Sequence, residues 1–266
     1  MEGELPMKTG LLVVSFGTTH LDTLEKTIAA AERDLAAAFP GVPCYRAFTS
    51  GIVRERLRSR QGLVVDSVPE ALARMRGDGV ERAVVQPTLL IPGEEFDRLR
   101  AEVLANAGDM AVSLGLPLLW DDGDLIPLTK LLERAYPMEE DQVLLAMGHG
   151  TDHSANGIYH RLARCMAERS GRLALCTVEG TPSFQDAIDA LLAQERRRVH
   201  LVPLLLVAGD HSKNDMAGDG PDSLRTLLEQ AGFQVTWSLR GLGELPEVRE
   251  KLVRRARSAF EVLPEK

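Results

Sequence analysis

Residues Val143 to His153 read VLLAMGHGTDH, an apolar run that ends on a histidine fenced by Gly148 and Gly150. A short run of this kind bounded by glycine reads as a strand, and a polar side chain at its carboxyl end marks a ligand site, because open α/β sheets bind ligands where their strands end. The glycines let backbone or ligand approach closely. A buried core histidine has no need of glycine on both sides, so His149 is read as functional.

Working outward, β-rich runs alternate with amphipathic stretches along the whole chain. Strands are expected at 10–17, 44–48, 82–90, 115–120, 142–148, 173–180, 198–207 and 234–239. One long helix is expected over 21–39 and another over 246–262, the latter opened by Pro246. Such alternation builds βα units around a mostly parallel sheet.

The stretch also recurs. VVSFGTTH (13–20) aligns with LAMGHGTDH (145–153), placing Gly17, Thr18 and His20 opposite Gly150, Thr151 and His153. VVQPTLLIPGEEFD (84–97) aligns with HLVPLLLVAGDHSKND (200–215), placing Pro87 opposite Pro203 and Gly93 opposite Gly209. Two motifs repeated in one order predict an α/β protein of two similar halves, each a mostly parallel sheet flanked by helices, with an active-site cleft between them. The division falls near 121–124, giving halves 1–122 and 123–266, with helix 246–262 expected to pack back on the first. Where the halves differ, Phe16 faces His149, Glu95 faces His211, and in a weaker match Phe48 roughly faces Glu179. The second half therefore offers two imidazoles and a carboxylate at three strand ends, and the first offers aromatics and a carboxylate.

Two imidazoles and one carboxylate suit a divalent first-row metal with open positions for substrate. Other readings stay open for single residues: Glu179 as a helix cap, His211 as part of a polar turn, and Glu94 and Glu95 as first-turn carboxylates at a positive helix end. His153 is read as a helix-face residue.

The 266 residues carry a net charge of −8, 44% hydrophobic and 26% charged residues, an ordinary globular balance that argues against general nucleic-acid binding. The basic run RERLRSR (54–60) lacks interleaved aromatics and reads as a solvated helix face or a contact for an acidic small molecule. Neither GxGxxG nor a phosphate-binding loop occurs. Cys44, Cys165 and Cys176 form no CxxC pair and suit a reducing compartment. The polar, acidic start MEGELPMKTG does not read as a signal peptide, Met7 offers an internal start, and no apolar run is long enough to span a membrane. A cytoplasmic location is expected.

LLVVSFGTT (11–19), AERDLAAAF (31–39), RAFTSGIVRERLR (46–58), MGHGTDH (147–153), VEGTPSF (178–184), PLLLVAGDHSKNDMAGD (203–219) and RGLGELP (240–246) together resemble the sirohydrochlorin cobaltochelatases of anaerobic cobalamin biosynthesis. These are class II chelatases, related in fold to protoporphyrin ferrochelatase. The resemblance implies ATP-independent insertion of Co2+ into sirohydrochlorin, with Co2+ as substrate metal, no organic cofactor and no nucleic-acid or membrane partner; a homo-oligomer is left open. It implies His149, Glu179 and His211 as metal ligands, and His149, Glu179 and Glu95 as catalytic residues. Phe16 and Phe48 are expected against the macrocycle face, and Arg54, with candidates Arg46, Arg56 and Lys213, against its carboxylates. Pro92 before Gly93 departs from the pattern expected of relatives. Fe2+ insertion for sirohaem, a non-catalytic tetrapyrrole or metal carrier, and a metal-dependent hydrolase are the competing readings.

Overall fold

The computed structural model describes residues 7–194 and 196–264. The chain divides into two compact units, residues 1–118 with 248–266, and residues 119–247.

The first unit is built from β1 (Thr9–Ser15), α1 (Leu21–Lys26), α2 (Ile28–Ala38), β2 (Cys44–Phe48), α3 (Gly51–Gln61), α4 (Val68–Gly77), β3 (Arg82–Pro87), α5 (Glu94–Asn106) and β4 (Ala111–Leu114). The second contains α6 (Leu125–Ala135), β5 (Gln142–Gly148), α7 (Gly157–Ser170), β6 (Leu173–Thr177), α8 (Phe184–Leu192), β7 (Arg198–Pro203), α9 (Leu224–Gln230) and β8 (Gln234–Trp237). The last helix, α10 (Pro246–Glu261), lies from Val248 onward in the first unit. There Ala256 and Ala259 join a core with Leu11, Val13, Leu35 and Val84, and Arg249 pairs with Asp34 at 2.6 Å.

Each unit holds one four-stranded, all-parallel sheet, ordered β2-β1-β3-β4 and β6-β5-β7-β8. The two orders are the same order, and the repeat read from the sequence survives at single bonds. Gly17 and Gly150 both turn the chain at positive φ, +100° and +81°. Thr18 Oγ1 accepts from the His20 N–H at 3.2 Å, as Thr151 Oγ1 accepts from the His153 N–H at 3.1 Å. Pro87 and Pro203 hold equivalent ladder positions, opposite Val14 and Met147.

β5 is buried along its whole length, as a central parallel strand covered on both faces must be. Its carboxyl end lies where the chain, having added β6 on one side, returns to add β7 on the other. A reversal of this kind leaves a crevice at the strand ends and is where doubly wound sheets bind ligands.

Two expected elements differ. The helix expected over 21–39 is two helices, parted at Thr27, whose backbone at φ −117° and ψ −79° leaves the regular path. The stretch 115–120 is no strand; β4 lies just before it, and the ladder ends where Gly115 donates to the Val85 carbonyl at 2.8 Å. Pro117 cannot donate to a ladder, so Leu118 and Leu119 are buried as an irregular segment. Among the described residues, no helix is long and apolar enough to cross a membrane, and all three cysteines are free thiols.

Candidate metal-binding site

β5, β6 and the segment after β7 place His149, Glu179 and His211 at the carboxyl edge of the second sheet. His149 follows Gly148, the last residue of β5. The ladder continues past the strands: Val178 donates to the Gly148 carbonyl (3.1 Å) and Glu179 to the His149 carbonyl (2.6 Å), so Glu179 is held beside His149 by backbone. Gly150 is required between them, since a Cβ there would run into the Glu179 carbonyl. His211 opens the π-helical turn Ser212–Met216, whose 3.2 Å bond from Ala217 N–H to the Ser212 carbonyl closes the wider ring. Such turns are rare and recur at functional sites.

The side chains converge. The His149 and His211 rings meet edge to face with centroids 4.7 Å apart, and His149 Nδ1 stands 3.9 Å from Glu179 Oε2. Among the described residues no three His, Cys, Asp or Glu side chains are already drawn into a ligating arrangement. The three side chains are 43%, 40% and 66% exposed in the order His149, His211, Glu179, and so are open to an incoming substrate.

Hydrogen bonds decide which ring nitrogen is available. His149 Nδ1 lies 3.0 Å from the Gly150 carbonyl and His211 Nδ1 lies 2.7 Å from Asp215 Oδ2. Both oxygens can only accept, so in neutral rings both Nδ1 atoms carry the proton and both Nε2 lone pairs are free. Asp215 sits four residues after His211, one turn on, and orients it in the manner of a carboxylate behind a metal-ligating imidazole. Beneath the GHG turn Tyr159 is 2% exposed, its ring against Gly148, and burial raises its phenol to about 12.

The residues expected in the first unit fall differently. Phe16, just past β1, is 52% exposed, an apolar ring open to solvent. Phe48 is wholly buried and lies under Gly17, so it presents no face to a ligand. Its match to Glu179 is also two residues out of register. Ser15 pairs with Phe48 as Gly148 pairs with Thr177, and Ser50 donates to the Phe16 carbonyl as Glu179 donates to that of His149; Ser50 is the counterpart of Glu179. Ser50 instead caps α3, accepting from the Val53 N–H at 3.3 Å.

Glu95, in the first turn of α5, pairs with Arg98 through Oε2, while its Oε1 is buried without a hydrogen-bond partner. Arg54 reaches Glu70 at 3.4 Å, and its Nε is buried and unpartnered. Arg46 is committed to a two-pronged pair with Glu32 and is unavailable as a rim cation. His153 caps the turn before α7, its Nδ1 accepting from the Ala155 N–H at 3.1 Å.

A doubled four-stranded parallel sheet of this order is a chelatase-like α/β fold. Bacillus subtilis SirB, solved with Fe3+, superposes with a TM-score of 0.65 at 17% identity over 95% of this chain and 96% of that one. A SirB from Bacillus subtilis subspecies spizizenii in complex with cobalt gives 0.63 at 15% identity, over 96% of each chain; both likenesses are of fold. The cobalt chelatase (CbiK) family model matches residues 9–261. The sirohydrochlorin cobaltochelatase of Salmonella typhimurium is 38% identical over 97% of this chain and 99% of its own length. Sirohydrochlorin cobaltochelatase CbiKC of Nitratidesulfovibrio vulgaris is 34% identical over 90% and 86%. The chain belongs to the cobalt chelatase (CbiK) family.

Proposed function

We propose that the protein inserts Co2+ into sirohydrochlorin in cobalamin biosynthesis, in the cytoplasm, without ATP or an organic cofactor. The observation that carries the reading is the convergence of His149, His211 and Glu179 at the reversal point of the second sheet, in a chain of this family.

The reaction exchanges ligands with no change of oxidation state: two pyrrole N–H bonds break, four ring nitrogens bind cobalt, and two protons leave. His149 and His211 bind Co2+ through Nε2 and Glu179 through its carboxylate, leaving the remaining positions to water and then to ring nitrogen. An open three-ligand set of this kind releases metal more readily than a closed four-ligand one. An imidazole holding metal on its only free lone pair accepts no proton, so His149 takes a pyrrole proton only as cobalt leaves it. Glu179 or Glu95, the latter with an unpartnered carboxylate oxygen, takes the other proton. Phe16 packs on the macrocycle, and Arg54, whose guanidinium is incompletely bonded, takes a ring carboxylate.

The test follows the visible spectrum of sirohydrochlorin and the pH of a weakly buffered solution together, with Co2+ and a trace of protein. The spectral change and the release of two protons per ring should proceed together and faster than without protein. Spectral change without proton release would mean binding rather than insertion, and a faster reaction with Fe2+ than with Co2+ would reassign the metal.

The orientation of His211 supplies a second expectation. Asp215→Asn removes the charge that fixes the Nδ1–H form, and should weaken Co2+ binding by about 10–100-fold, the usual cost of losing such an outer partner. Unchanged affinity in a Co2+ titration would remove Asp215 from the site.

A further inference from the structure

The start of α7 joins the two backbone segments that carry His149 and Glu179. Asn156 Oδ1 accepts from the Thr151 N–H at 3.2 Å, and its Nδ2 donates to the Thr181 carbonyl at 2.8 Å and lies 3.3 Å from the Thr181 hydroxyl. Thr151 stands two residues after His149 and Thr181 two after Glu179. One planar amide thus ties together the two segments, and only one orientation of the amide serves, since Thr151 offers a donor and Thr181 an acceptor.

Neighbouring groups reinforce the tie. His160 Nε2 lies 2.7 Å from the Thr181 hydroxyl. Gly180, at φ +131°, passes so close that a Cβ there would stand 2.9 Å from Asn156 Oδ1. The repeat shows what the amide is for: by the offset that sets Gly17 against Gly150, the counterpart of Asn156 is Thr23. Its side chain is too short for such a tie, and its half of the molecule has Phe16 and Ser50 where the ligands would be.

We infer that Asn156 is a positioning residue that sets the spacing of His149 and Glu179 for Co2+ without touching the metal. The inference rests on the proposed role of that pair. Loss of a hydrogen bond behind the ligands costs about 10–100-fold in metal affinity or activity, and here the bond sets the ligand spacing on which capture of Co2+ depends.

The test measures KM for Co2+ and kcat at saturating sirohydrochlorin, and separately the ligand-field absorption of Co2+ titrated into the protein without tetrapyrrole. Asn156→Ala should raise KM for Co2+ and weaken ring-free Co2+ binding by about 10–100-fold, with a much smaller change in kcat. Asn156→Asp keeps the acceptor for Thr151, loses the donor to Thr181, and should fall between the two. Ser67→Ala, which removes a cap from α4 in the other unit, controls for a general loss of stability and should leave Co2+ binding unchanged. A lowered melting temperature with unaltered Co2+ binding in both Asn156 variants would overturn the inference. Failure of the native protein to metallate sirohydrochlorin would fall on the proposed function instead, because weaker Co2+ binding in the variants, read without the ring, would still support the positioning role.

Discussion

His149→Ala should metallate sirohydrochlorin about 10²–10⁴-fold more slowly than the native protein, the range expected when a proton-transfer group is lost. The loss is expected at the top of that range because the proposed function gives one side chain two duties. Its Nε2 lone pair is free only because Nδ1 is engaged by the Gly150 carbonyl at 3.0 Å, and its ring meets His211 at 4.7 Å. Removal takes away the proposed ligand and proton acceptor and leaves His211 without its edge-to-face neighbour. The exposed position predicts little change in melting temperature, so the defect should be chemical. An activity within about threefold of native would place cobalt capture elsewhere.

Gly150→Ala should be the most damaging small substitution in the second unit. The backbone there is at φ +81°, where any residue with a Cβ is strained by about 1–2 kcal/mol. The added methyl would also strike the Glu179 carbonyl, which is backbone and cannot rotate away, and would press on Thr177 Cβ. Relief requires parting the segments that carry His149 and Glu179, so stability and activity should fall together. A total cost of more than about 4 kcal/mol, the diagnostic range for a single substitution, is the expectation for thermal or denaturant unfolding. Gly171→Ala provides the comparison. It shares a positive φ, +54°, but its Cβ would meet nothing, so only the conformational strain should appear. Equal effects of the two would remove the close approach from the account.

Legibility in the sequence followed the range of the forces involved. The repeat was readable because the same turns need the same residues: glycine at positive φ, then a threonine that caps its own turn. From that, two similar halves with parallel sheets and the three candidate ligands could be placed. The match of Phe48 with Glu179 slipped by two because few shared residues mark the end of β2, and only the ladder shows that Ser50 is the counterpart. Phe48 also looked available because a strand-end aromatic reads alike whether it faces a ligand or lies beneath a glycine turn.

Other features depend on chain crossings. Asp215 is visible in retrospect as the carboxylate one helical turn from His211. Asn156 carries no such local signal, since its partners lie in the turn above and across the chain. Arg46 could not be separated from Arg54 as a rim cation until Glu32, fourteen residues earlier, was found to engage it. The break at Thr27 lies within a good helical pattern and shows only in the backbone dihedrals.

The central claim is that this chain is a catalyst of cobalt insertion, and the most direct test is the number of rings metallated per protein molecule. Sirohydrochlorin and Co2+ are supplied in large excess over native protein, and the visible spectrum is followed to completion beside a protein-free control. The account predicts a rapid change that runs to the end of the substrate, many rings for each protein. A spectral shift that stops at one ring per protein, or a rate no greater than the control, would contradict it.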